Sequence, residues 1–278
     1  MHMRSWLFVP GDDERKLAKV AASDADAVII DLEDAVAAGR KEAARALTDA
    51  LLRDDAARHR QTWVRVNALG SRWHNDDVAM LQAAIPDGFV VPKVNDSDEL
   101  TALAERLDLP LLPLTTETPR GVQALTRYSD LPRTIVGLSW GAEDLAAELG
   151  ATTNRDEHGQ WLAPFALARS WCLLAARANG VAPIDTVYTD LRDSNGLLAY
   201  AAQSRQLGFD GMLAIHPRQV PLIHAGFRPE PAEIEHARAV LEAFNAADDT
   251  GVAVLEGRML DEPHRRQALR LLALADDE

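Results

Sequence analysis

Cys172 is the only cysteine among 278 residues. No internal disulfide is possible, which suits a reducing cytoplasm. Cations are also short. Lys and Arg number 29 against 43 Asp and Glu, for a net charge of −14. Such a balance argues against nucleic acid and anionic membranes as partners. It leaves room for an anionic small molecule, which needs only a few local cations. No apolar run approaches the roughly 18 residues of a membrane-spanning helix. No charged-then-apolar leader opens the chain, so the cytoplasm is the expected location. No G-x-G-x-x-G follows the first apolar run, and no phosphate-binding G-x-x-x-x-G-K motif is present, which removes the two commonest nucleotide signatures. Aromatics are only 5% of the chain, yet 47% is hydrophobic, ample for the core of one large domain or two small ones.

What is present is a regular alternation. Short apolar runs at 6–9, 27–32, 63–66, 89–94, 111–114, 135–138, 186–188 and 212–215 read as strands buried on both faces. Between them lie segments with helical spacing, such as Ala43, Leu47, Ala50 and Leu51, or Phe165, Ala168, Cys172 and Ala175. Eight such units predict parallel pairing through right-handed crossovers, and a TIM (β/α)8 barrel over residues 1–228 fits best. A doubly wound sheet is the alternative. After Pro229 the pattern changes to a helix over 231–246, then a hairpin and a terminal helix. Residues 229–278 are therefore expected to form an extension that packs on the barrel or on a neighbouring subunit.

Barrel chemistry sits at the C-terminal ends of the strands. The residues there are Pro10-Gly11; Asp31, Glu33 and Asp34; Arg65 and Asn67; Lys93; Glu117; Glu143 and Asp144; Asp190, Arg192 and Asp193; and His216-Pro217. Closure would bring several carboxylates into one mouth, where they repel unless a cation joins them. Oxygen ligands with no cysteine and at most one histidine nearby favour Mg²⁺ or Mn²⁺ over Zn²⁺. Glu117 and Asp144, on adjacent strands, would supply the two carboxylates that Mg²⁺ usually takes. Arg65 would aim its donors at a carboxylate or a developing oxyanion.

Each residue also has a plainer reading. Glu143 and Asp144 open a helix, where acids favour the positive end of the dipole. Glu33 and Asp34 also precede a helix. Arg65 could be a structural ion-pair partner, and His216 before Pro217 an ordered turn. Cys172 reads as core. The run "ERKLAK" reads as a solvated face, although Arg15, Lys16 and Lys19 could meet a phosphate.

Seven stretches occur in order: "RSWLFVPG", "ADAVIIDLEDAV", "WVRVNALG", "TTETPRGV", "GLSWGAEDLAAELGA", "DTVYTDLRDSNGL" and "GFDGMLAIHPRQV". Together they resemble the citrate lyase β-subunit-like group of the HpcH/HpaI aldolase superfamily, over residues 4 to about 264. The resemblance implies a Mg²⁺-dependent TIM-barrel lyase. Its members cleave or form a C–C bond between an acyl thioester, such as malyl-CoA, citramalyl-CoA or a citryl-thioester, and a 2-oxoacid. Glu117 and Asp144 would hold the metal, with Glu33 and Asp34 near it through water. Arg65 would steady the thioester oxygen. The turn at Gly141, Ala142 and Glu143 would hold the 2-oxoacid carboxylate on backbone N–H groups. The loop and helix around Arg15 and Lys16 would approach the CoA. Asp261, in "GRMLDEPH", would reach a neighbouring subunit's site as an acid/base, in a homotrimer. A tail of this length favours CoA over an acyl carrier protein as the thioester carrier. One departure is Met212, where a lysine often follows "GFDG".

Overall fold

The computed structural model describes residues 3–247 and 251–276. Eight parallel strands follow one another with helices between them: β1 (Ser5–Pro10), β2 (Ala27–Asp31), β3 (Thr62–Arg65), β4 (Gly88–Val91), β5 (Leu111–Pro113), β6 (Gly137–Ser139), β7 (Ala182–Asp185) and β8 (Gly211–Ala214). The hydrogen-bonded order is β5-β4-β3-β2-β1-β8-β7-β6. Two single parallel bridges, Leu111 to Ile135 and Leu114 to Ser139, join the ends and close the barrel. The doubly wound alternative is thereby excluded.

Side chains alternate across each strand, and the alternation builds two cores. Trp6, Ala27, Ile29, Trp63, Val90, Leu112, Ile184 and Leu213 fill the barrel interior. The intervening residues, among them Leu7, Val28, Ile30, Val64, Phe89 and Met212, face the helices. Trp6 and Trp63 meet edge to face inside, with ring centroids 4.9 Å apart. Gly88 makes room for them: a Cβ there would fall within 2.6 Å of the Trp63 ring. Met212, the departure noted in the sequence, is fully buried in the outer layer.

The helices are α1 (Glu14–Leu17), α2 (Lys41–Leu52), α3 (His74–Ala83), α4 (Ser97–Leu107), α5 (Pro119–Ala124), α6 (Ala142–Leu149), α7 (Ala163–Ala178), α8 (Ser194–Leu207) and α9 (Val220–Phe227). Four start on side-chain caps, from Asp13, Asp96, Thr118 and Asp193. No helix among the described residues is long and apolar enough to cross a membrane.

The seventh strand differs from the sequence expectation. It runs Ala182–Asp185, not 186–188. Pro183 argues against a strand, because it cannot donate to a ladder. Here its carbonyl accepts from Asp210 N–H, and its missing N–H costs no bond to β6. Consequently Asp190, Arg192 and Asp193 lie beyond the strand end in an exposed turn, where Asp193 caps α8.

The extension comprises α10 (Pro231–Ala246), a hairpin of β9 (Val252–Leu255) and β10 (Arg258–Asp261), and α11 (Glu262–Asp276). It packs around its own small cluster of Ala237, Val240, Ala253, Leu260 and Ala268. Ion pairs tie it to the barrel: Arg205 to Glu233 and Arg270 to Asp210, both at 2.7 Å.

Candidate active site

Register and strand parity fix the floor of the mouth. Asp31 and Arg65 end β2 and β3, pair directly in the ladder, and fall on the inward parity of Ile29 and Trp63. Arg65 donates to Asp31 through two nitrogens, Nε to Oδ1 at 2.7 Å and Nη2 to Oδ2 at 2.6 Å. Its third nitrogen, Nη1, lies 3.2 Å from Glu33 Oε2. The guanidinium also stacks 4.6 Å from the Phe8 ring centroid. Burial alone would raise the Asp31 carboxyl. The charge and paired donors of Arg65 outweigh it and hold Asp31 below the usual carboxylate range.

The loop after β2 carries the next acids. Asp31 shapes it by accepting from the N–H groups of Glu33 and Ala35. From below, the buried Lys41 ammonium donates to Leu32 O, Glu33 O and Asn67 Oδ1, each at 2.7 Å. Glu33 is buried, and burial raises its carboxyl above the usual value despite Arg65 and Lys93 nearby. Asp34 is exposed.

Lys93, two residues past β4, binds the cluster together. Its ammonium lies 2.6 Å from Glu33, 3.0 Å from Asp34 and 3.2 Å from Asp144. Its backbone N–H donates to Glu117 Oε2 at 2.6 Å. Burial works against the ammonium, but those carboxylates raise it well above the ordinary lysine value. Glu117, after β5, is buried, and its carboxyl is pushed up to about 8 by burial and then by Asp144 and Glu33. Asp144, on the first turn of α6, is half-buried. Gly141 lets α6 start against Glu117: a Cβ there would sit 2.6 Å from Glu117 Cγ. Ala142 is buried beside it. Glu143 turns away, its Oε1 accepting from Asn154 Nδ2 at 2.8 Å.

The mouth thus gathers Glu33, Asp34, Arg65, Glu117 and Asp144. Lys93 stood among the strand-end residues in the sequence, but nothing marked it as their common partner. Asp185 was missed because β7 was misplaced. It faces outward and is fully buried, accepting from Trp140 Nε1 at 2.7 Å, Ser204 Oγ at 2.6 Å and Arg169 Nη2 at 2.5 Å. It anchors the indole next to Gly141. His216 caps a turn, its Nδ1 accepting from Arg218 N–H, and Cys172 is core.

Two cavities flank the cluster. One of about 1070 Å³ includes Lys93, Thr118, Arg120 and His74 in its wall. The other, about 600 Å³, lies between the ends of β1 and β8 and is lined by Lys16, Lys19, Pro10 and His216. Of the three basic residues named in the sequence, Lys16 and Lys19 line it and Arg15 does not. Asp261 lies in the extension, half-exposed, with its Oδ1 2.6 Å from His264 Nδ1.

The family model described as HpcH/HpaI aldolase/citrate lyase matches residues 4–217. A (3S)-malyl-CoA thioesterase of Cereibacter sphaeroides is 40% identical over 98% of this chain and 94% of its own. A citrate lyase subunit beta-like protein of Deinococcus radiodurans is also 40% identical, over 98% of this chain and 96% of its own. The crystal structure of CitE from Mycobacterium tuberculosis in complex with magnesium, acetoacetate and coenzyme A superimposes with a TM-score of 0.89 at 34% identity, covering 99% of this chain and 98% of that one. Barrel, carboxylate cluster and near-full-length similarity agree, and the chain belongs to the HpcH/HpaI aldolase/citrate lyase family.

Proposed function

We propose that this protein is a Mg²⁺-dependent carbon–carbon lyase. It opens or forms a 3-hydroxy-acyl thioester of the malyl-CoA or citramalyl-CoA kind, with a 2-oxoacid and an acyl-CoA on the other side of the reaction. The observation that carries this reading is the charge pattern of the mouth. Among the described residues, five carboxylates (Asp31, Glu33, Asp34, Glu117 and Asp144) are held directly by two cationic residues, Arg65 and Lys93, with the Lys41 ammonium behind the loop on Leu32, Glu33 and Asn67 oxygens, so acids still outnumber cations. A divalent cation fits that deficit. Among the described residues no three acids, histidines or cysteines converge as a complete metal cage. Two carboxylates, Glu117 and Asp144, match the partial protein shell that Mg²⁺ prefers, with Mn²⁺ as a substitute. When bound, the metal would acidify and orient the substrate's hydroxyl.

The chain's own residues do the rest. A base takes the substrate's hydroxyl proton, the oxygen forms the carbonyl of the 2-oxoacid, and the C–C bond opens with its electron pair passing through the α-carbon to the thioester oxygen. Arg65, held in one plane by Asp31 and Phe8, presents preset donors to that oxygen. The N–H groups where α6 begins, at Gly141 and Ala142, would hold the 2-oxoacid carboxylate. Asp261 of a neighbouring copy would deliver the proton to the α-carbon, which requires an oligomer, a homotrimer by the family resemblance. Lys16 and Lys19 would meet the phosphates of CoA in the 600 Å³ cavity. The buried single cysteine suits a cytoplasmic enzyme.

The test is product analysis with malyl-CoA and citramalyl-CoA, with Mg²⁺ and with chelator. The lyase releases glyoxylate or pyruvate, trapped as a hydrazone, only with metal. Absence of any 2-oxoacid would exclude it. The 40% identity to a thioesterase supports a second reading, hydrolysis, whose products would be the hydroxy diacid and free CoA. Activity confined to carrier-bound thioesters would instead assign the chain to an acyl-carrier-protein system.

A further inference from the structure

Lys93 touches both carboxylates assigned to the metal, and it does so with different ends. Its N–H holds Glu117 and its ammonium holds Asp144. The backbone there is left-handed, with φ of 52°. A lysine rarely adopts this conformation, and strain of this kind persists where surrounding contacts over-determine it. The left-handed turn is what lets one residue send its N–H to β5's end and its side chain across to the loop after β2. Among the described residues the ammonium is the side-chain cation that bridges the loop acids to Asp144; Arg65 pairs with Asp31 and Glu33.

We propose that Lys93 is an internal counter-cation that competes with the metal for Asp144 and so sets the site's metal affinity. Before metal enters, the ammonium keeps mutually repelling carboxylates together. On entry it gives up Asp144 and stays on Glu33 and Asp34. These two acids then act as the lysine's resting place, and the N–H of Lys93 keeps Glu117 aimed throughout. This inference rests on the assignment of Glu117 and Asp144 as metal ligands.

The experiment is Mn²⁺ binding to the full-length protein, followed by electron paramagnetic resonance of the free ion, for wild type, Lys93→Met and Lys93→Arg. Removing a positive charge beside a ligand is expected to tighten binding by about tenfold or more in Lys93→Met. Lys93→Arg should bind as wild type does. In chelator, Lys93→Met should melt below wild type and gain more from saturating Mn²⁺. Unchanged or weaker binding in Lys93→Met would make the lysine a structural tie and overturn the proposal. Wild type that binds no Mn²⁺ would instead remove the metal assignment beneath it. A crystal structure of Mn²⁺-loaded wild type checks the same point without a variant. The ammonium should have left Asp144 while keeping Glu33, and a retained contact with Asp144 would refute the exchange.

Discussion

At the scale of single residues, Arg65 shows that a structural and a catalytic reading need not compete. The ion pair with Asp31 fixes the guanidinium, and under the proposed mechanism that is what would aim it at the developing oxyanion. Arg65→Ala should therefore lose twice. Turnover should fall by about 10²–10³, as when one oxyanion donor is removed. Stability should also fall, by about 3–5 kcal/mol, because Asp31 is left buried and unpaired. Adding Asp31→Ala should recover part of the melting temperature, because the N–H groups of Glu33 and Ala35 then lose their acceptor, and none of the turnover. Recovery of turnover in the double variant would deny Arg65 its chemical role. The carboxylates were legible in the sequence because acids after apolar runs are unusual enough to notice. Lys93 was not, because its importance comes from a left-handed backbone and from partners up to 60 residues away, neither of which leaves a local trace.

Elements position these residues, and here small side chains matter. Helix α6 begins against Glu117 only because position 141 lacks a Cβ. Gly141→Ala should push the two apart at a cost of about 1–3 kcal/mol and weaken Mn²⁺ binding by about tenfold or more. Calorimetric titration reads the second effect; full affinity in a stably folded variant would mean that the contact is incidental. At the opposite end of the barrel, Ser5, His224 and Asp26 look like a nucleophile with its base. Ser5 is fully buried, however, and both it and Asp26 reach the same Nε2. The cluster is a clamp: Asp26 accepts from the N–H groups of Arg4 and Ser5 and pins the start of β1. Burial would raise the Asp26 carboxyl, but His224 and these N–H groups hold it below its ordinary value of 3.8. The unfolded chain lacks those partners and takes up the proton first. The stabilisation is therefore complete above about pH 4 and lost as pH falls through the lowered value. Circular dichroism between pH 2 and 6 should show a shallower acid transition in Asp26→Asn than in wild type. The strand pattern was readable for the same reason that the clamp works, since apolar runs between turns leave few alternatives. β7 was not, because Pro183 hid a strand behind the more strand-like residues that follow it.

Across the whole molecule, the eight-unit alternation in the sequence corresponds to the barrel, while the proposed division of labour between barrel and extension would need more than one chain. Asp261 sits in the extension, its carboxylate 2.6 Å from His264 Nδ1. If it serves a neighbour, two inactive variants should rescue each other. Mixed oligomers of Asp261→Asn and Arg65→Ala, refolded or co-expressed together, should regain a measurable fraction of wild-type turnover. The intact Arg65 of one copy would then face the intact Asp261 of another. No rescue in verified mixed oligomers would place Asp261 outside the reaction.

The barrel closes between β5 and β6 through two single bridges, where its other neighbouring strands share ladders. Glu117 follows β5 and Asp144 follows β6, so the two sides of this joint each carry one of the acids assigned to the metal. An ion held between them would act as a clasp on a hinge. Chelation should then let the ring breathe at this point alone. Deuterium uptake at amides of residues 111–115 and 136–139 should accelerate on metal removal, while β1 and β2 stay protected. Chemistry and mechanical closure would share one bolt, and a substrate bound to that bolt would tighten the enzyme around itself.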